Sequence, residues 1–302
     1  MKKLFFALSF MMMAIGIQAQ MKTIQPKYQV GDHALYQYES TTTITSENPV
    51  TVKITYTEDY TVREADANGA IIDLVKKDVK LEGAEDNIMV QLMSMGQQFV
   101  DGVIFKLKTD ATGKIIDIVN KDELAAHING KAEETATQML AKMPELAQAT
   151  NKDELKEQLL EQVSAEALLN GFQNNPNIFA LNGKTLMTGT VDSYENQLGM
   201  KMNRLFMVKG NQVKSSGSLN LSKDELKELI LSQVPEEQAE MVRQNIDLIL
   251  NSGQIKAEMK EDATYEYLDN GWVGSISVEE SGDIMGQKQT GATKLTLLEH
   301  SW

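Results

Sequence analysis

The side chains able to carry chemistry are few. His33, His127 and His300 are the only histidines, and the 302 residues contain no cysteine. No two histidines stand four residues apart, as a zinc-binding helix requires, and "HIN" from His127 offers no metal spacing. Without thiolates a zinc ion would rest on histidine and carboxylate alone. His33 and His300 lie near opposite ends of the chain and can meet only through the fold. "EADANG" sets Glu64, Asp66, Asn68 and Gly69 at positions one, three, five and six of a calcium loop. Position twelve is Val75, where a bidentate glutamate is needed, so the run reads as a hairpin turn. The nucleophile and phosphate motifs G-x-S-x-G, S-x-x-K with its companions, and the P-loop are missing. Glu279 and Glu280 form a carboxylate pair of the kind glycosidases use. With 43 acidic residues such neighbours are inevitable, and only Trp272 and Trp302 could stack on a sugar ring. The expectation is a protein that is not an enzyme and needs no metal or cofactor.

Methionine is the enrichment that remains. Thirteen methionines follow residue 19, concentrated in "IMVQLMSMGQQF" and "MTGTVDSYENQLGMKMNRLFM". Flexible, polarizable methionine suits either a core or a groove that adapts to apolar partners of variable shape. The groove reading makes Met89, Met93 and Phe206 the candidate ligand-binding residues, and its ligand an apolar small molecule such as a lipid. Met200 and Met202 lack the adjacent histidine a copper site would want.

Both ends and the charge constrain where such a protein works. "MKKLFFALSFMMMAIGIQAQ" has a positive start, an apolar run from Leu4 to Ile17 and small residues before Gln20. This is the pattern of a secretory signal peptide over residues 1–19, and the apolar run is too short to span a bilayer. Export from a Gram-negative bacterium, to the periplasm or beyond, follows as the expectation. Loss of Lys2 and Lys3 takes the formal charge from −14 to −16, which opposes binding to nucleic acid and to anionic lipid surfaces in general. Absence of cysteine excludes a lipid-anchored N-terminus and disulfides, leaving burial to stabilise the remaining 283 residues.

The elements that must position any site alternate between two periods. "HALYQYESTTTIT" and "VTVKITYTEDYTVREA" are strand-like, and "DANG" at Asp66–Gly69 turns the chain into "AIIDLVKKDVKLEG" as a hairpin. From Asp86 the spacing of Ile88, Leu92, Met95 and Phe99 is helical. Extended structure resumes in "VIFKLKTDATGKIIDIV", turned by Asp110–Gly113. The word K-D-E-L then occurs three times, after Asn120, Asn151 and Ser222, each with glutamate three places on. As a retention signal it works only at a C-terminus. Here it marks helix starts through the capping box, in which the cap side chain and the glutamate three residues on satisfy each other's backbone N–H groups.

Lys152–Val163 and Lys223–Val234 match at nine of twelve positions, 71 residues apart. The same offset relates Tyr194–Glu195 to Tyr265–Glu266, and each helical stretch leads into strands. This favours a duplicated helix-plus-meander unit over 152–221 and 223–299, with helix-start convergence as the competing account. The closing "TKLTLLEHSW" suits the last strand of an outer-membrane barrel, but the amphipathic helices and charged segments oppose that fold. The fold expected is one α+β domain over 20–302, a curved antiparallel sheet packed with amphipathic helices.

"VGDHALYQY", "DATGKIIDI" and "NGWVGSISVEESGDI" together resemble a family of uncharacterised exported bacterial proteins known only as a domain of unknown function. That resemblance brings no activity with it. In architecture the layout is also similar to periplasmic lipoprotein carriers, whose curved antiparallel sheet closes on helices around an acyl-chain cavity. The functional expectation is a non-enzymatic periplasmic protein binding an apolar ligand. The alternative is an envelope protein whose helical faces dock a protein partner.

Overall fold

The computed structural model describes residues 21–45, 49–83, 101–142, 150–162, 164–195, 201–233, 257–284 and 287–302, together with Ile246 and Leu250. In chain order the strands β1 (Met21–Thr23), β2 (His33–Thr45), β3 (Val50–Asp66), β4 (Gly69–Glu82), β5 (Ile104–Thr109) and β6 (Ile115–Ile118) come first. Helices α1 (Lys121–Lys142), α2 (Lys152–Gln162) and α3 (Ala165–Asn174) follow. Then come β7 (Thr185–Met187), β8 (Val191–Glu195), β9 (Lys201–Lys209), β10 (Gln212–Asn220), α4 (Lys223–Gln233), β11 (Ala257–Tyr267), β12 (Val273–Ile284) and β13 (Gln287–Ser301).

All but two strands join one curved antiparallel sheet of eleven, ordered β6-β5-β4-β3-β2-β13-β12-β11-β10-β9-β8. Two up-and-down meanders run outward from the centre, where β13 pairs with β2 from Ser301↔His33 to Lys288↔Thr45. β1 and β7 form a separate two-stranded ribbon. The α+β balance expected from sequence is corrected here: the protein is predominantly β, with a few helices serving one large sheet. Threonine, tyrosine and β-branched residues extend the strands far beyond the usual five or six residues; β3 alone has 17.

Period-two burial shows why the sheet forms. β9 alternates without a break, Met202, Arg204, Phe206 and Val208 buried and Lys201, Asn203, Leu205, Met207 and Lys209 exposed. The main core lies on the concave face: Tyr36, Tyr60, Ile72, Leu74, Phe105 and Leu107 from one meander meet Phe206, Val213, Tyr265, Trp272 and Ile276 from the other. Phe179, Leu181 and Ile178, from the turns after α3, pack into the same cluster. The hairpins read from "DANG" and "DATG" are present. Gly69 (φ 143°) would place a Cβ 2.1 Å from the Thr109 carbonyl oxygen, so only glycine fits there. Asp110 Oδ1 accepts from the Thr112 and Lys114 amides at 2.8 and 3.1 Å.

The repeated word behaves in two ways. Before α4, Ser222 and Glu225 make the reciprocal box: the Ser222 amide donates to Glu225 Oε2 (2.8 Å) and the Glu225 amide to Ser222 Oγ (3.3 Å). Before α2, Asn151 Oδ1 accepts from the Asp153 and Glu154 amides, both at 3.0 Å. Before α1 the side chain turns away from its own helix. Asn120 Oδ1 accepts from the Lys106 amide (3.0 Å) and Nδ2 donates to the Ile104 carbonyl (2.8 Å), stapling the helix start to β5. The helix expected from Asp86 to Val100 lies outside the described residues.

Candidate functional site

Curvature brings the two ends of the sheet toward each other. Between them lies a cleft of about 470 Å3. One wall is the β5–β6 turn with α3 and the turns after it: Lys114, Ile115, Phe172, Phe179 and Ala180. The other is Lys184 with Ser193, Tyr194 and Arg204 of β8 and β9. The β6 end is blunted, since α3 packs on β6 and Gln173 Nε2 donates to the Ile115 carbonyl at 3.0 Å. Phe172 stands edge-on to Phe105 with ring centroids 5.9 Å apart, which fixes the apolar wall.

The opposite wall is polar and tightly paired. Arg204 is almost wholly buried, and its Nε and Nη2 reach the Asp192 carboxylate at 3.1 and 3.3 Å. Lys184 forms an ion pair with the same carboxylate. Burial alone would raise the Asp192 pKa, but hydrogen bonds and charges from Arg204 and Lys184 hold it below the usual aspartate value. The guanidinium also lies 4.0 Å from the centroid of the Tyr194 ring and 5.3 Å from that of Phe206. Such stacking suits a desolvated arginine.

Register extends this wall into a polar line across the concave face. Asp192 opposes Arg204, Arg204 opposes Gly217, Gly217 opposes Glu261, and Glu261 opposes Glu280. Glu280 in turn opposes Gly291, and Gly291 opposes Thr42. The glycines leave room for charged neighbours: a Cβ on Gly217 would touch Arg204 Cγ at 3.4 Å, and one on Gly291 would lie 3.5 Å from Glu280 Oε2. Burial raises the pKa of Glu261, against the Tyr194 hydrogen bond and the Arg204 charge, and burial likewise raises that of Glu280. Among the described residues, Ser215 Oγ, Glu261 Oε1 and the Tyr265 hydroxyl are buried without a hydrogen-bond partner. Ser215 sits on β10 diagonally between Glu261 and Tyr265 of β11.

Of the residues expected to bind ligand, Phe206 is fully buried in the main core beneath Arg204, and its neighbour Arg204 reaches the cleft. Met89 and Met93 lie outside the described residues, as does Met200. Met202 is buried against Leu219, with Tyr194 and Met259 beside it, and accepts a 3.4 Å contact from the Tyr194 hydroxyl. Sequence reasoning missed Arg204, Asp192 and Lys184. The signal available was an arginine at an inward position of a strictly alternating strand, in a chain with few arginines.

The histidines do not converge on a site. His33 bonds Asp59 at 2.9 Å, while His300 stacks on Trp302 with centroids 4.2 Å apart. Register sets His33 opposite Ser301 and His300 opposite Ala34, so the two rings leave neighbouring strands on opposite faces. Among the described residues no three histidine or carboxylate side chains are grouped to hold a metal ion, and no helix is long and apolar enough to cross a membrane.

No protein-family model matches the chain, and no curated protein matches it. Solved structures give loose likenesses. Lipovitellin, in a structure concerned with its lipid–protein interactions, aligns at a TM-score of 0.41 and 10% identity over 91% of this chain; the chain spans 26% of the lipovitellin chain. An outer-membrane channel from Pseudomonas putida F1 aligns at 0.31 and 6% identity, over 90% of this chain and 97% of the channel. A porin-like protein from Bacteroides uniformis aligns at 0.15 and 11%, over 91% and 99%. At such scores the likenesses carry no functional weight.

Proposed function

We propose that this is a non-enzymatic protein of the bacterial envelope that binds an apolar ligand such as a lipid. The observation that supports the reading is the cleft itself. At about 470 Å3 it falls in the range of small-molecule sites, roughly 300–1,000 Å3. Its walls differ in kind: Ile115, Phe172, Phe179 and Ala180 offer apolar surface, while Lys184, Tyr194 and Arg204 offer hydrogen-bond donors. An amphiphile fits that division, its chain against the phenylalanines and its polar end toward Arg204. The paired Arg204–Asp192–Lys184 group is held in place before any ligand arrives, so little ordering cost falls on binding. Export follows from the sequence of residues 1–19 and belongs to the same proposal.

Titration of purified protein with a fluorescent fatty acid, beside native mass spectrometry of protein taken from its own envelope, tests the reading. Saturable uptake and a co-purifying amphiphile are expected. Ala180→Trp fills the cleft and should abolish uptake, with the unfolding midpoint followed in parallel because Ala180 also packs against the core. Phe172→Asp should weaken uptake by placing a charge against the chain, with stability followed in parallel. No saturable uptake by native protein, or uptake indifferent to Ala180→Trp, overturns the proposal and leaves an envelope docking protein in its place.

A further inference from the structure

The convex face of the same sheet end carries apolar side chains that the fold does not use. Val191 of β8 and Leu205 of β9 are register partners, 62% and 47% exposed, and Met207 follows Leu205 on the same face at 50%. Beside them, the ribbon that leads into β8 exposes Met21 and Met187, themselves register partners. The Thr188 hydroxyl, which donates to the Val208 carbonyl at 3.2 Å and accepts from the Val208 amide at 3.0 Å, ties this segment to β9. Large apolar residues grouped this way at one edge mark a docking surface rather than scattered exposure.

Charge selects what docks there. Lys201 and Lys209 flank Leu205 and Met207 on the exposed side of β9, and Lys214 of β10 is the register partner of Met207. Glu195 opposes Lys201 at one end of the patch. Across β10, Asp262 of β11 is an exposed carboxylate on this face, opposite Ser216. Two strand spacings, roughly 10 Å, separate β11 from β9. At physiological salt the Debye length is roughly 8 Å, so carboxylates beyond β11 are largely screened from whatever meets the patch, while Asp262 stays diagonal to Lys214 and offsets part of its charge. A second copy of the chain is disfavoured, because a two-fold contact would bring lysines onto lysines between two acidic molecules. Exposed methionine, leucine and valine among lysines match instead an apolar layer beneath negative headgroups.

We propose that the convex face of β8 and β9 docks this protein on an anionic lipid bilayer, with Val191, Leu205 and Met207 at the headgroup boundary and Lys209 and Lys214 on lipid phosphates. The site corrects locally what the net charge of −14 implies for the whole chain. It also lies on the strands that form the polar wall of the cleft, since Ser193, Tyr194 and Arg204 belong to β8 and β9. This inference deepens the ligand-binding reading but is tested apart from it.

Co-sedimentation with vesicles of phosphatidylcholine alone, and of phosphatidylcholine with an equal amount of phosphatidylglycerol, is the experiment. Binding is expected to the anionic vesicles and to weaken with added salt. The double variant Lys209→Gln/Lys214→Gln should lose about thirtyfold in partition, each lysine near an anionic surface being worth about 1 kcal/mol. Leu205→Asp, at an exposed position, should remove binding without changing the unfolding midpoint. Fatty-acid uptake in solution should be unaltered in both variants, so a protein that partitions but takes up no amphiphile sinks the ligand reading and spares this one. Equal binding to both vesicle types, no binding to either, or partition unaffected by the lysine variant overturns the docking proposal, the second result pointing to a protein partner.

Discussion

Asn120 and Asn151 stand before the same four residues, yet aspartate should be tolerated at only one of them. At Asn151 the side-chain oxygen alone is used, accepting two helix amides at 3.0 Å from an exposed position. Aspartate keeps that acceptor and adds negative charge at the helix start, so Asn151→Asp should lie between neutral and about 0.5 kcal/mol stabilising. At Asn120, 8% exposed, both ends of the amide are used, and the Nδ2 bond to the Ile104 carbonyl at 2.8 Å has no equivalent in aspartate. Asn120→Asp removes that donor and sets a carboxylate beside the carbonyl it had satisfied. An acceptor left unsatisfied where water is largely excluded costs about 1–3 kcal/mol, and at this part-buried carbonyl, with the repulsion, the loss should be about 1–3 kcal/mol. Alanine does not separate the sites as well, since Asn151→Ala should also cost about 1 kcal/mol. Equilibrium urea unfolding followed by tryptophan fluorescence and far-UV dichroism measures both, provided the slopes agree between variants. Equal effects of aspartate at the two sites would refute the assignment of one as cap and the other as staple.

Two further perturbations test the packing and the polar line. Gly69→Ala should cost at least about 3 kcal/mol, because its Cβ would sit 2.1 Å from the Thr109 oxygen at a positive φ; a neutral thermal shift would show that the β3–β4 turn can open. Glu261 and Glu280 have folded pKa values raised by burial, so the folded state binds their protons more tightly than the unfolded chain. Their contribution is therefore present below the ordinary glutamate pKa and is lost as pH rises through the folded values. Asp192, lowered in the folded state, acts in the opposite sense: its contribution is present above the ordinary aspartate pKa and is lost as pH falls through its folded value. Stability should thus rise from neutral pH toward mild acid and then fall. Glu261→Gln should flatten the first limb in thermal melts across pH, and an unchanged profile would show that Glu261 keeps its charge.

Local features of this fold are written plainly in the chain. The alternation of Val52, Ile54 and Tyr56 gave β3, "DANG" gave its hairpin, and two of three K-D-E-L words begin helices with the expected cap. Asn120 escaped because a side chain cannot announce that a strand fourteen residues earlier will compete for it. The balance of the fold escaped for a similar reason. The strand signals mark long separate elements, and nothing local states that β2 will pair with β13 and fuse two meanders into one sheet. At the site, the sequence points to Phe206 as a ligand-binding residue, but Phe206 is buried in the core and the residue that reaches the cleft is Arg204, two positions earlier on the same inward face. Its partners Asp192 and Lys184 come from separate elements, and their convergence depends on the sheet's curvature.

The pairing of β2 with β13 has a consequence for how the protein is made. Thr45 and Gln287, which end and begin these strands, are 242 residues apart. During synthesis β2 can hairpin with β3 at once, but its other edge, with its threonine run from Thr41 to Thr43, has no mate until β13 has been translated. The first meander must therefore wait with a long open edge, the form most prone to pairing with another copy. Closing so large a loop is also slow relative to the local hairpins. The final step in acquiring the native state should then be a docking of two preformed halves along the β2–β13 seam, with β1–β7 pairing and the packing of α3 on β6 joining them as well. Cutting the chain between α1 and α2 should give two fragments able to reassemble there, with each half acting as a folding template for the other.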